Sequence, residues 1–153
     1  MAMRGEAKET TSMRSIKLVF ALLVFCAHGI GNSDANEIKI IANPNVGASE
    51  ISRDDLNRIF LMTKTSLPGA AHVEPVLEKG GAVCDLFLRE YMGRTNSALM
   101  TYYRSLMFSG KAAIPKSFDS DSQVAEYVAK TKGAIGYVAS TANTAGAKTL
   151  RVK

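Results

Sequence analysis

His72-Val73-Glu74-Pro75-Val76-Leu77, then Glu78-Lys79-Gly80-Gly81-Ala82-Val83, carries the change of period that decides the fold. The first six residues read as a strand, at or near a sheet edge because Pro75 has no N–H to give to a ladder. The glycine pair turns the chain into a helix with Val83, Leu86, Phe87 and Tyr91 on its buried side, stopped at Gly93. Upstream, Glu37–Ala42 is a short strand ending at the turn Asn43-Pro44-Asn45. Ser52 then caps a helix whose first turn holds Asp54 and Asp55 and whose apolar face is Leu56, Ile59 and Phe60. Downstream, a helix starts near Thr95-Asn96 and ends at Gly110. Ser120-Asp121-Ser122-Gln123 has capping-box spacing ahead of Val124, Tyr127 and Val128. Gly133 closes that helix, Ala134–Ala139 is an apolar strand, and Thr149–Lys153 a terminal alternating one. The order β-α-β-α-α-α-β-β predicts an α/β fold, a small mixed sheet flanked by helices.

The chain has 153 residues, 46% of them apolar and 22% charged, which fits one globular domain and excludes collagen-like and disordered classes. Of the formal net charge of +5, +4 falls evenly over residues 36–153, and no run of four basic residues occurs. A nucleic-acid footprint is therefore not expected, whereas a small anion or an anionic surface suits the mild basic excess. Leu18–Ala27 is a short apolar run preceded by Arg14 and Lys17 and followed by Ser33-Asp34-Ala35. That pattern predicts a signal peptide over residues 1–35, cut after Ala35, with Met13 as a more ordinary start than Met1. The run falls well short of the roughly twenty residues a spanning helix needs. The mature chain, 36–153, is expected to be periplasmic or secreted, without a membrane span. Cys26 lies in the leader, so Cys84 stands alone, closes no intrachain disulfide and reads as a small buried thiol.

Catalytic chemistry finds little support. His72 and Cys84 are the lone histidine and cysteine of the mature part, too few for an ordinary zinc site. No nucleophile elbow, H-E-x-x-H pair or Walker loop is present. Adjacent acids such as Asp54 and Asp55 diverge on a helix and belong to its first turn. No cofactor, no metal and no catalytic residue is expected. One element invites a ligand: Lys79, Gly80, Gly81, Ala82 and Val83, where backbone N–H groups converge at a helix start and an anion is favoured. The same glycines equally serve a plain reversal of the chain.

Ile38–Pro44, Ile51–Leu61, the glycine turn with its helix, and Gly133-Ala134-Ile135-Gly136-Tyr137-Val138 together resemble phosphate ABC-transporter substrate-binding proteins. Those are type II periplasmic binding proteins, exported two-lobed α/β proteins that close on a ligand. The resemblance implies a single lobe of that fold over residues 36–153, a non-catalytic solute-binding role, and Asn43 and Tyr137 as rim residues beside Lys79 and Gly80 to Val83. Two departures stand out. The family's turn reads Gly-Ser-Gly-Thr with an arginine three residues ahead; here it is Gly80-Gly81-Ala82-Val83 with Leu77 in the arginine's place. Each lost charge-assisted bond costs about 1.5–3 kcal/mol, against about 8 kcal/mol for a micromolar complex. Glu78 adds a negative charge beside the turn. A single lobe also offers one wall where small-molecule sites are enclosed. Two readings are carried forward: a lobe that takes phosphate or another small anion weakly or within an assembly (a homodimer or an envelope protein), and an envelope scaffold that kept the fold and lost the solute.

Overall fold

The computed structural model describes residues 37–153. The expected signal peptide and its expected cleavage site lie outside the described residues. Six strands form one sheet: β1 (Ile38–Ala42), β2 (Glu50–Ile51), β3 (Glu74–Glu78), β4 (Lys116–Phe118), β5 (Ala134–Ala139) and β6 (Lys148–Val152). Their order across the sheet is β2-β6-β1-β5-β3-β4. β1 pairs antiparallel with β5 and β6, whereas β3 runs parallel to both β5 and β4, so the sheet is mixed. Four helices flank it: α1 (Arg53–Phe60), α2 (Ala82–Phe87), α3 (Asn96–Phe108) and α4 (Asp121–Lys130). None of the described helices is long and apolar enough to cross a membrane.

Period-two alternation assigns each strand residue to one of two cores. Ile40, Leu77, Ile135 and Tyr137 face α1, α2 and α3, joining Leu56, Phe60, Phe87 and Tyr103. Ile41, Val76, Ala134 and Val138 face α4, joining Val124 and Val128. β3 is second from the edge, with the short β4 outside it, so Pro75 sits near the edge as its missing N–H requires. The cap at Ser52 forms as the sequence predicts, accepting from Asp55 N, and Thr95, where a helix start is expected, caps α3 by accepting from Ala98 N. At Ser120 the side chain also caps its helix, but Gln123 Oε1 accepts from the amide of Asp119, not that of Ser120. The capping box is thus shifted by one residue.

Three further expectations change. The two-residue β2 and three-residue β4 have no counterpart in the predicted order, being too short for periodicity to register. The helix after the glycine pair is α only as far as Phe87; Leu88–Met92 widens into a π-helical turn before Gly93 ends it in the left-handed region. His72 lies ahead of β3, not within it.

Gly136 shows why the apolar strand carries a glycine. A Cβ there would lie 3.1 Å from Val124 Cγ1, 3.2 Å from Val128 Cγ2 and 3.4 Å from the carbonyl oxygen of Val76. Helix α4 rests on β5 at that point, and a side chain would lift it. Gly136→Val is therefore expected to cost about 1–3 kcal/mol by overpacking. A lower urea midpoint at unchanged slope is the outcome to look for; an unchanged midpoint would contradict this packing.

Candidate functional site

Strand β3 leaves the sheet at Glu78 and the chain reverses over Lys79, Gly80 and Gly81. Gly81 is the N-cap of α2 at φ 97°, ψ 179°, a conformation that suits glycine, and no atom lies within 4 Å of where its Cβ would be. Among the described residues, no protein acceptor takes a hydrogen bond from the amides of Gly80 to Val83. The turn is held from three sides. The amide of Lys79 donates to Phe118 O on β4 (2.8 Å). Asn96 Nδ2 donates to Lys79 O (3.3 Å). The amide of Glu78 donates to the Tyr137 hydroxyl (3.2 Å). Tyr137 is buried, stacked on Phe87 with ring centroids 3.9 Å apart at 7°, and Phe60 lies 4.7 Å from Phe87. Burial pushes its hydroxyl well above the ordinary tyrosine range, with the Cys84 thiol beside it.

The two flanks of the turn differ in charge. On one side a crevice of about 470 Å³ is lined by Glu78, Asp119, Ser120, Asp121 and Asn143. Glu78 Oε2 is buried and has no hydrogen-bond partner. Burial, and then the charge of Asp121, raise the Glu78 carboxyl to about 7. Lys79 does not reach over the amides; its Nζ lies 2.9 Å from Asp119 Oδ2, an exposed pair. On the other side a cavity of about 430 Å³ is lined by Asp85, Arg89, Arg94, Thr95 and Asn96. Arg89 comes from the π-helical turn and Arg94 from the bend after it, which also sets Arg94 over the Tyr102 ring at 5.6 Å.

The structure therefore brings Lys79, Gly80, Gly81, Ala82 and Val83 together, and moves the other two predicted residues off the rim. Tyr137 lies beneath the turn as its buried support. Asn43 is at the opposite end of the sheet: its backbone donates to Ala134 O at the start of β5, and its Nδ2 donates to Val128 O and Ala129 O, both at 2.9 Å. It closes the C-terminus of α4. Asn96, Arg89 and Arg94 are the residues missed from sequence. Asn96 follows the Thr95 cap, but nothing local says that α3 starts against Lys79. Asp54 and Asp55 are paired with Arg58 and Lys64 on the surface, away from this turn. Cys84 is buried, as expected.

No protein-family model matches the chain, and no curated protein matches it. Solved structures do. A phosphate transport receptor of ABC type from Vibrio cholerae superposes with a TM-score of 0.51 at 13% identity, over 75% of this chain and 45% of that one. A protein from Clostridium perfringens, described as a phosphate ABC-transporter substrate-binding protein with bound phosphate, gives 0.55 at 15% identity, over 75% and 44%. A phosphate-binding candidate from Planctomyces limnophilus gives 0.51 at 14%, over 76% and 41%. The shared feature is the fold, and this chain spans less than half the length of each neighbour. The fold is that of one lobe of a phosphate-binding protein.

Glu78 links the site to stability. Its folded carboxyl, at about 7, lies above the ordinary 4.5, so between those values the folded chain holds more protons than the unfolded one. Stability from this group is therefore greatest below pH 4.5 and falls as pH rises towards 7. Glu78→Gln is expected to remove that fall and to be the more stable variant above pH 7. Urea melts at pH 5.5 and 8 test this; parallel pH profiles for both proteins would contradict the assignment.

Proposed function

We propose that the chain is an exported, non-catalytic binding lobe that takes a small oxyanion of the phosphate class weakly on the Gly80–Val83 turn. The carrying observation is the turn itself: open amides at the end of the parallel strand β3, with an arginine-lined cavity bordered by Asn96, which holds Lys79 O. Convergent N–H groups and the positive end of a helix favour an anion. Arg89 and Arg94 offer the guanidinium that Leu77 does not, and Asn96 borders both the turn and their cavity. The likeness of fold to proteins titled as phosphate receptors supports this reading. Two features keep the affinity low. Glu78 opposes an anion once ionised, and a lone lobe leaves the ligand half in water, so a tight site needs a second wall from outside residues 37–153. A homodimer or an envelope partner meets that need.

The second reading, an envelope scaffold without a solute, is favoured by one surface feature. At the end of α3, Phe108 is 83% exposed and Met107 44%. A solute lobe has no use for them, whereas a docking face does.

Sulfate separates the two, because unlike phosphate it does not titrate between pH 5 and 8. A ligand at a hundred times its dissociation constant stabilises a fold by about 2.7 kcal/mol. Under the favoured reading, sulfate raises the melting temperature more at pH 5.5, where Glu78 is neutral, than at pH 8. Arg89→Ala with Arg94→Ala diminishes the shift, and Glu78→Gln makes it equal at both pH values. An absence of any shift with sulfate or phosphate at millimolar concentration, at either pH, would leave the scaffold reading.

A further inference from the structure

At the far end of the sheet from the glycine turn, where β3 begins, lies a cavity of about 440 Å³ that the oxyanion reading does not use. Its lining is largely apolar: Ile59 from α1 and Met62 just after it, Val73 just ahead of β3 and Pro75 within it, and Ala113, Ile114 and Pro115 from the segment leading into β4. Its rim is cationic. Lys64, Lys111 and Lys116 line it, against Glu74 as the one lining acid. Two of these charges are already engaged. Lys64 Nζ lies 2.6 Å from Asp55 Oδ1, and Glu74 Oε1 accepts the Tyr127 hydroxyl at 2.8 Å. Lys111 is exposed and meets no carboxylate among the described residues. Lys116 is exposed too, its Nζ 4.8 Å over the Tyr127 ring.

We propose that this cavity is a second binding site, for an amphiphilic monocarboxylate: an apolar body lies over Met62, Ala113 and Ile114 while its carboxylate meets Lys111 and Lys116. The size falls within the range of about 300–1,000 Å³ usual for small-molecule sites, and an apolar lining with a few convergent polar groups is their usual composition. Charge selects among occupants. A neutral apolar molecule leaves both ammonium groups unanswered. A second copy of this face would bring Lys111 and Lys116 against themselves, which disfavours self-association here. A small inorganic anion would find the lysines but leave the apolar lining wet. A single carboxylate on an apolar body answers both, since burying apolar surface contributes about 25 cal/mol per Å² and the charged head adds hydrogen bonds to ammonium donors.

Octanoate and its neutral counterpart octanamide are the probes, titrated calorimetrically into the purified protein below their micellar range. The expected result is saturable one-site binding of octanoate, with octanamide at least about tenfold weaker, a difference worth about 1.4 kcal/mol. Lys111→Ala with Lys116→Ala, both exposed and tolerant of change, reduces octanoate affinity by a similar factor. Ala112→Trp, which fills the cavity, abolishes binding while the far-ultraviolet dichroism stays native. Equal binding of octanamide, undiminished octanoate binding in the double variant, or no octanoate binding at millimolar concentration would each overturn the proposal.

Discussion

The hydroxyl of Tyr137 is the joint on which the candidate site rests. It accepts from the amide of Glu78, the last residue of β3, while its ring stacks on Phe87 of α2. One side chain on β5 therefore fixes both ends of the reversal that contains Gly80 and Gly81. A buried amide left without its acceptor costs about 1–3 kcal/mol, and the stack adds roughly 0.5–1.5 kcal/mol beyond the area it buries. Phe60 closes the aromatic group from α1, so two helices share a reference point with the sheet. The preceding residue does the complementary work on the other face. Gly136 lets α4 come within side-chain contact of β5. Because successive strand residues alternate in direction, the pair Gly136-Tyr137 specifies close approach on one face and bulk on the other.

That economy explains what could be read from sequence. Strands β1, β3, β5 and β6 and all four helices announce themselves, because each is long enough for its period to register or is marked by a cap such as Ser52. The sheet's outermost strands do not. Glu50-Ile51 pairs with β6 and Lys116–Phe118 with β3 only because the tertiary structure presents an open edge to them. The π-helical turn after Phe87 is equally silent in the pattern, since Leu88 and Met92 are buried residues four apart and read as ordinary helix. The glycine turn was legible from its two glycines. Its neighbours were not: Arg89 and Arg94 reach a common cavity with Asn96 through the widened turn, a geometry no local motif encodes. Asn43 misled for the opposite reason. It follows β1 in the resembling segment, yet antiparallel pairing with β5 carries it to the end of the sheet where α4 finishes.

Electrostatics decides how the turn can be used. Under the oxyanion reading four open amides favour an anion, but Glu78, at the end of β3, keeps one oxygen buried and unpartnered. A carboxylate beside a bound anion is tolerable in its protonated form, and a value of about 7 makes that form common near neutrality. Lys79 does not repair the balance, because it is turned to Asp119 and both are exposed, where an ion pair contributes little. The proposed site thus consists of backbone dipoles beside one carboxyl whose charge changes near neutrality.

The two ends of β3 are therefore chemically unlike. At its finish, backbone amides, the acids Glu78, Asp119 and Asp121, and the arginines Arg89 and Arg94 gather around the turn. At its start, apolar side chains from α1, β3 and the approach to β4 enclose space beneath lysines. An exposed lysine costs little to keep charged, and its long stem covers apolar surface at the same time. The resulting mouth is cationic without any buried charge to desolvate, unlike the turn, where Glu78 carries that cost. The segments that close the two ends come from separate stretches of sequence, Lys79–Val83 and Lys111–Pro115, linked both through the sheet and through α3, which starts against Lys79 and ends at Phe108.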